Sequence, residues 1–225
     1  MLQASTIKFL KDLKKNNNKP WFDKNRKQYE AAKTDFINFI QAVIDQHGKT
    51  DSTIKNLQAK DCLFRINRDI RFSKDKSPYK TNFGASINKS GRKAENSAGY
   101  YFHLEPGGVF TGGGIWMPAP PELKKVRQEI DYNLAEFKKI ISAKKFKAVY
   151  VELSSDPEYK LSRVPKGYDP ENPAAEYLKL KSFIAMIKIS DADLTSKNLL
   201  KKTVAAFDAL QPLIGFINES LRTPE

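Results

Sequence analysis

Gly99-Tyr100-Tyr101-Phe102-His103-Leu104-Glu105-Pro106-Gly107-Gly108-Val109-Phe110-Thr111-Gly112-Gly113-Gly114-Ile115-Trp116 holds two apolar-rich runs separated by a proline and two glycines. Proline presets the first corner of a reverse turn and glycine accepts a left-handed second corner, so the break predicts a hairpin joining residues 100–105 to residues 109–116. Alternation along the first run puts Tyr101, His103 and Glu105 on one face. Three successive glycines, Gly112 to Gly114, lose side-chain packing inside a strand, which predicts a close backbone approach, a bulge or a ligand contact, with Gly113 as its centre.

On the N-terminal side of the hairpin, residues 62–72 read with period two. Phe64, Ile66, Ile70 and Phe72 fall on one side and Arg65, Asn67, Asp69 and Arg71 on the other, which predicts a strand. Arg68 breaks the alternation and, on the apolar side, needs a partner or an opening to solvent. Residues 73–82 read as a polar turn region and 86–97 as an exposed loop. Further upstream, Ser5 is a candidate N-cap for a helix carrying Ile7, Leu10 and Leu13, and Pro20 opens a longer helix with Phe22, Tyr29, Phe36, Ile40 and Val43 that Gly48 ends.

On the C-terminal side, Pro118, Pro120 and Pro121 lead into a helix with Leu123, Val126, Ile130, Leu134, Phe137 and Ile141 on one stripe. A second helix covers 144–153, a proline-punctuated loop 156–173, and a late strand 182–189. From Thr195 the pattern is helical, with an interruption expected near Pro212. These elements predict an α+β fold: a single domain over 1–225, built on a mainly antiparallel sheet with a glycine-rich hairpin and packed by several helices.

The 225 residues are 40% hydrophobic and 29% charged, enough apolar material for a core and no composition of a disordered chain. One cysteine, Cys62, rules out an intramolecular disulfide. Lys8, Lys11 and Asp12 interrupt any secretory stretch, and no run approaches the roughly 20 apolar residues that span a bilayer, so a cytoplasmic location is the default expectation. Lysine and arginine number 39 against 26 acidic residues, a formal charge of +13. Between Lys60 and Lys93 ten basic residues face three acidic ones, which concentrates the attraction for anions there.

Two clusters carry the candidate chemistry. In the first, Arg65, Arg68 and Arg71 lie close to Asn67 and Asp69, with Lys80 and Asn82 following; guanidinium forks match the oxygens of phosphate or carboxylate. In the second, His103 is a candidate general acid or base, oriented by Glu105 or Asp69. Imidazole and carboxylate two residues apart also resemble two metal ligands, but two ligands do not make a site, and no metal site is assigned. The other histidine, His47, sits near a helix end, where it answers the C-terminal dipole. No cofactor signature is legible, since the glycine run lacks the spacing and lysine of a Walker A loop or a dinucleotide fingerprint. The aromatics Tyr100, Tyr101, Phe102, Phe110 and Trp116 beside a basic stretch also suit base stacking on single-stranded nucleic acid.

Asn16-Asn17-Asn18-Lys19-Pro20-Trp21-Phe22, Phe64-Arg65-Ile66 through Arg71-Phe72-Ser73-Lys74-Asp75-Lys76, Pro78-Tyr79-Lys80-Thr81-Asn82 and the hairpin from Glu105 to Pro118 occur in that order. With the Pro212 region and Phe216-Ile217-Asn218, they make the chain similar, over nearly its whole length, to a bacterial and fungal family of conserved proteins grouped as domain of unknown function 2461. The resemblance implies one domain and brings no activity, substrate or catalytic residue with it. Three readings therefore stand side by side: a basic cleft for a phosphate-bearing or carboxylate small ligand with histidine-assisted chemistry, a non-catalytic nucleic-acid-binding module, and an interaction or scaffold protein whose arginines brace the fold.

Overall fold

The structure, a computed structural model, describes residues 1–91 and 96–222. Four strands, β1 (Phe83–Ile87), β2 (Gly99–Leu104), β3 (Phe110–Ile115) and β4 (Phe183–Lys188), form one antiparallel sheet in the order β1-β2-β3-β4. The hairpin turns where the sequence places it. Gly108 N–H donates to the Glu105 carbonyl at 2.8 Å, and Gly107 occupies the left-handed corner at φ +83°.

The glycine run is explained by the neighbouring backbones. A Cβ on Gly114 would fall 2.0 Å from the Phe183 carbonyl oxygen, and one on Gly113 would fall 2.4 Å from that of Gly99. Gly114 also has φ +121°, a conformation L residues rarely adopt. Gly113 is thus held by close strand approach.

Residue contacts group into two compact units. Of the described residues, one comprises 1–91, 101–111 and 188–205; the other comprises 96–100, 112–187 and 206–222. In the first, α1 (Ala4–Lys15), α2 (Lys19–Lys24), α3 (Arg26–His47) and α4 (Ala59–Cys62) surround an aromatic core. Phe36 stacks on Phe83 at 5.5 Å, Phe39 meets Phe102 edge-on at 5.0 Å, and Phe22 lies flat on Tyr79 at 3.9 Å. Each buried phenyl contributes about 2–3 kcal/mol of transfer free energy. In the second unit, α5 (Pro120–Tyr132), α6 (Leu134–Ser142), α7 (Lys144–Tyr150), α8 (Ala175–Leu178) and the later turns of α9 (Asn198–Ser220) bury Val126, Ile130, Phe137, Phe146 and Phe207. Phe137 packs on Phe216 at 5.5 Å, and the Tyr150 hydroxyl donates to the Ala206 carbonyl at 2.9 Å.

Several expected boundaries shift. The helix opened by Pro20 is two helices broken at Asn25, and the 123–141 stripe is broken at Asn133. The first N-cap is Gln3, with Ser5 already inside the first turn. Helix α9 runs through Pro212 without interruption, held by buried Leu210, Leu213, Ile214 and Ile217. Strand β1 covers residues 83–85, which the sequence reading leaves unassigned, and the first two residues of the expected 86–97 loop; the rest of that loop lies partly outside the described residues.

The expected strand at 62–72 does not form. Cys62 closes α4, and the following residues pair only through isolated bridges, Leu63 with Ala85 and Asn67 with Tyr79. Of the four residues on its apolar side only Ile66 is buried, while Phe72 is 96% exposed. The period-two pattern lacks a continuous partner strand, and without ladder hydrogen bonds alternation does not make a strand. No helix among the described residues is long and apolar enough to cross a membrane.

Candidate functional site

Alternation on β2 sends Tyr100, Phe102 and Leu104 into buried positions and leaves Tyr101, His103 and Glu105 on the opposite face, as the sequence predicts. There they form a hydrogen-bonded series. The Tyr101 hydroxyl lies 3.1 Å from His103 Nδ1, and His103 Nε2 lies 3.4 Å from Glu105 Oε2. Burial pushes the Tyr101 phenol up to about 12, so it remains a donor. Burial also lowers the His103 pKa, against an opposing pull from Glu105, which favours the neutral ring. Tyr101 therefore donates to Nδ1, and the single ring proton sits on Nε2 facing the carboxylate. Phe110 stacks on the imidazole at 4.6 Å and fixes its plane.

Glu105 passes this order on. The Thr81 hydroxyl donates to its Oε1 at 2.9 Å, and Lys14 Nζ lies 3.5 Å from the same oxygen. Burial alone would raise the Glu105 carboxyl; hydrogen bonds from Thr81 and His103 and the Lys14 charge outweigh it and leave the pKa below its ordinary value. Thr81 and Lys14 in turn line an open cleft of about 300 Å³ with Asn17, Arg68, Asp75, Ser77, Tyr79, Lys80 and Asn82.

The wall of this cleft is assembled by two devices. Asn17, just beyond α1, clasps the backbone of Tyr79: its Nδ2 donates to the Tyr79 carbonyl at 2.8 Å, and its Oδ1 accepts from the Tyr79 N–H at 3.1 Å. Arg68 braces the segment that follows it in sequence. It is ion-paired to Asp75 through Nη1, donates to the Ser77 carbonyl at 3.1 Å, and reaches Ser73 Oγ at 3.3 Å. Ser77 N–H and Oγ both donate to Asp75 Oδ1, so this carboxyl falls to about 2 through Ser77 first and Arg68 second.

Of the residues the sequence singles out, Arg68, Lys80 and Asn82 line the cleft; Glu105 stands behind its Thr81–Lys14 wall, with His103 behind Glu105. Asp69 and Arg71 pair with each other at 2.6 Å on the exposed segment, so the ring of His103 is oriented by Glu105 and Tyr101, not by Asp69. Arg65 is exposed and does not line the cleft. Gly113 lies in the other unit, against Gly99. Tyr100 and Phe102 are buried and closed to a base, and Phe110 is stacked on His103. Lys14 and Asn17 escape the sequence reading because their partners Glu105 and Tyr79 lie far along the chain, Tyr79 62 positions from Asn17; the only local signal is the polar run that ends α1. The Cys62 thiol is buried and pushed up to about 11 by that burial and by Asp61, which leaves it a poor nucleophile. Among the described residues no group of three or more His, Cys, Asp and Glu side chains could hold a metal ion. His47 is fully buried in the last turn of α3.

The relay has a pH signature. A folded histidine pKa below the ordinary 6.5 means that the folded chain binds fewer protons than the unfolded chain as the pH falls through 6.5. Stability is complete above that pH and declines as the solution is acidified toward the folded pKa; Glu105 adds a loss of the same sign below 4.5. Melting temperatures of wild type and His103→Gln between pH 8 and 5 are expected to converge toward the acid end. A constant difference across the range would contradict the neutral relay.

A family model described as "Conserved hypothetical protein (DUF2461)" matches residues 5–216. No curated protein and no solved structure matches the chain.

Proposed function

We propose, for a chain that belongs to the DUF2461 family, that its cleft binds a small phosphate-bearing or carboxylate ligand. The observation that carries this reading is the lining: Lys14, Arg68 and Lys80 against Asp75, which Arg68 and Ser77 already engage, with Glu105 behind the wall engaged by Lys14 and Thr81. Asn82 and Thr81 add neutral hydrogen-bonding groups beside the cations. An anion entering this space exchanges water for charge-assisted hydrogen bonds, each contributing about 1.5–3 kcal/mol. At about 300 Å³ the cleft fits a compact ligand.

His103 acts at one remove. It does not line the cleft, and its two nitrogens are engaged by Tyr101 and Glu105, so it reaches the cleft only through that carboxylate, which accepts from the Thr81 hydroxyl and pairs with Lys14. This makes His103 and Glu105 positioning residues for the cleft lysine and hydroxyl. Histidine-assisted chemistry on a ligand here would run along this series.

The test is a thermal-shift panel of inorganic phosphate, sugar phosphates, nucleotides and dicarboxylates. A ligand at a hundredfold excess over its Kd stabilises the native state by about 2.7 kcal/mol. One anion class is expected to raise the melting temperature in wild type, with Lys80→Ala and Lys14→Ala each weakening it about tenfold. Equal stabilisation by all anions, unaltered in both variants, would reduce the effect to nonspecific charge screening.

A further inference from the structure

Residues 70–77 form a loop that is ordered by its own bonds and yet presents an apolar ring to water. Ser73 N–H donates to the Ile70 carbonyl at 3.3 Å, Lys76 Nζ reaches the same carbonyl at 3.0 Å, and Arg68 ties Ser73, Asp75 and Ser77 together. At the loop's outer side Phe72 is 96% exposed, with the Arg71 guanidinium 5.8 Å from its ring centroid. Phe64, 40% exposed, repeats the arrangement with Lys80 Nζ at 5.4 Å. Exposed Arg65, Lys74 and Lys76 share the segment. A phenyl ring that packs against nothing contributes nothing to the core, so its presentation on a braced loop points to a partner.

We propose that this segment is a contact surface for single-stranded nucleic acid, with Phe72 stacking on a base and Arg65, Lys74 and Lys76 facing its phosphates. The chemistry matches on both counts: aromatic rings take bases of any sequence through their π-faces, and flanking cations track the backbone. Both rings of this segment, Phe64 and Phe72, already have a cation within 6 Å, the pairing a nucleotide meets with its base and its phosphate together. An acidic bilayer fits less well. Phe72 is the one fully exposed apolar side chain of the loop, and inserting it would carry Asp69 and Asp75, 45% and 61% exposed, toward like charge. The surface borders the cleft and shares Asp75, Ser77 and Lys80 with its lining, but Phe72, Lys74 and Lys76 lie outside that lining, so the proposal does not depend on the small-ligand reading.

Fluorescence polarisation with a labelled fifteen-residue oligothymidylate at low salt tests the proposal. The expected result is saturable binding that Phe72→Ala weakens about tenfold and Phe72→Tyr largely restores. Lys74→Ala and Lys76→Ala should each lower both affinity and its salt dependence. Because Phe72 packs on no core residue, the two Phe72 variants should melt with wild type, which separates loss of binding from loss of fold. Binding unchanged in Phe72→Ala, or no binding to the oligonucleotide alongside co-sedimentation with phosphatidylserine vesicles, would overturn it.

Discussion

Gly114→Ala is expected to destabilise the protein by at least about 4 kcal/mol, lowering its melting temperature by roughly 10 °C or more, or abolishing soluble expression. The added methyl meets the Phe183 carbonyl oxygen at 2.0 Å and the Ile184 Cα at 2.9 Å. Both are backbone atoms of β4, so the clash is relieved only by separating paired strands. A φ of +121° adds conformational strain at the same residue. Gly108→Ala is the matched control, because its Cβ would meet only the Glu105 carbonyl at 3.9 Å, and it is expected to change stability by less than about 1 kcal/mol. Equal melting temperatures for the two variants would contradict the close approach of β3 to β4.

Asn17→Ala is expected to lower stability by about 2–3 kcal/mol and to weaken anion binding more than tenfold. The substitution deletes both hydrogen bonds to Tyr79 and leaves a peptide N–H and C=O beside a buried ring without those partners. Tyr79 is followed directly by Lys80, Thr81 and Asn82, so releasing it displaces a cleft wall as well as a turn. Asn17→Asp keeps the acceptor and loses the donor, and an intermediate effect is expected from chemical denaturation. A stability loss with unchanged anion affinity would confine the clasp to folding.

The hairpin was legible because Pro106 and Gly107 are local signals whose meaning needs no tertiary partner. The same holds for the face shared by Tyr101, His103 and Glu105, since alternation in a real strand fixes it. The segment 62–72 misleads for the complementary reason: its alternation is as clear, but a strand needs a neighbour, and here Asn67 finds only one bridge. Strand β1 was missed because Gly84, Ala85 and Ser86 present no apolar alternation; small side chains suit it where the Tyr101 hydroxyl would lie only 2.6 Å from a Cβ on Gly84. At the site, Lys80 and Asn82 could be chosen from charge and turn chemistry, and Arg68 from its place on the wrong side of a pattern. Lys14 and Asn17 required the packing of α1 against α3 to bring them within reach, which no local signal records.

Anion binding in the cleft lined by Lys14 and Lys80, as proposed above, is open to a single direct test. Calorimetric titration of the strongest stabilising anion into wild type, Lys14→Ala and Lys80→Ala measures it most directly. One site per chain is expected in wild type, with affinity at least about tenfold weaker in each variant while both stay folded. Affinity unchanged by either substitution would contradict it and move the anion site elsewhere on the protein.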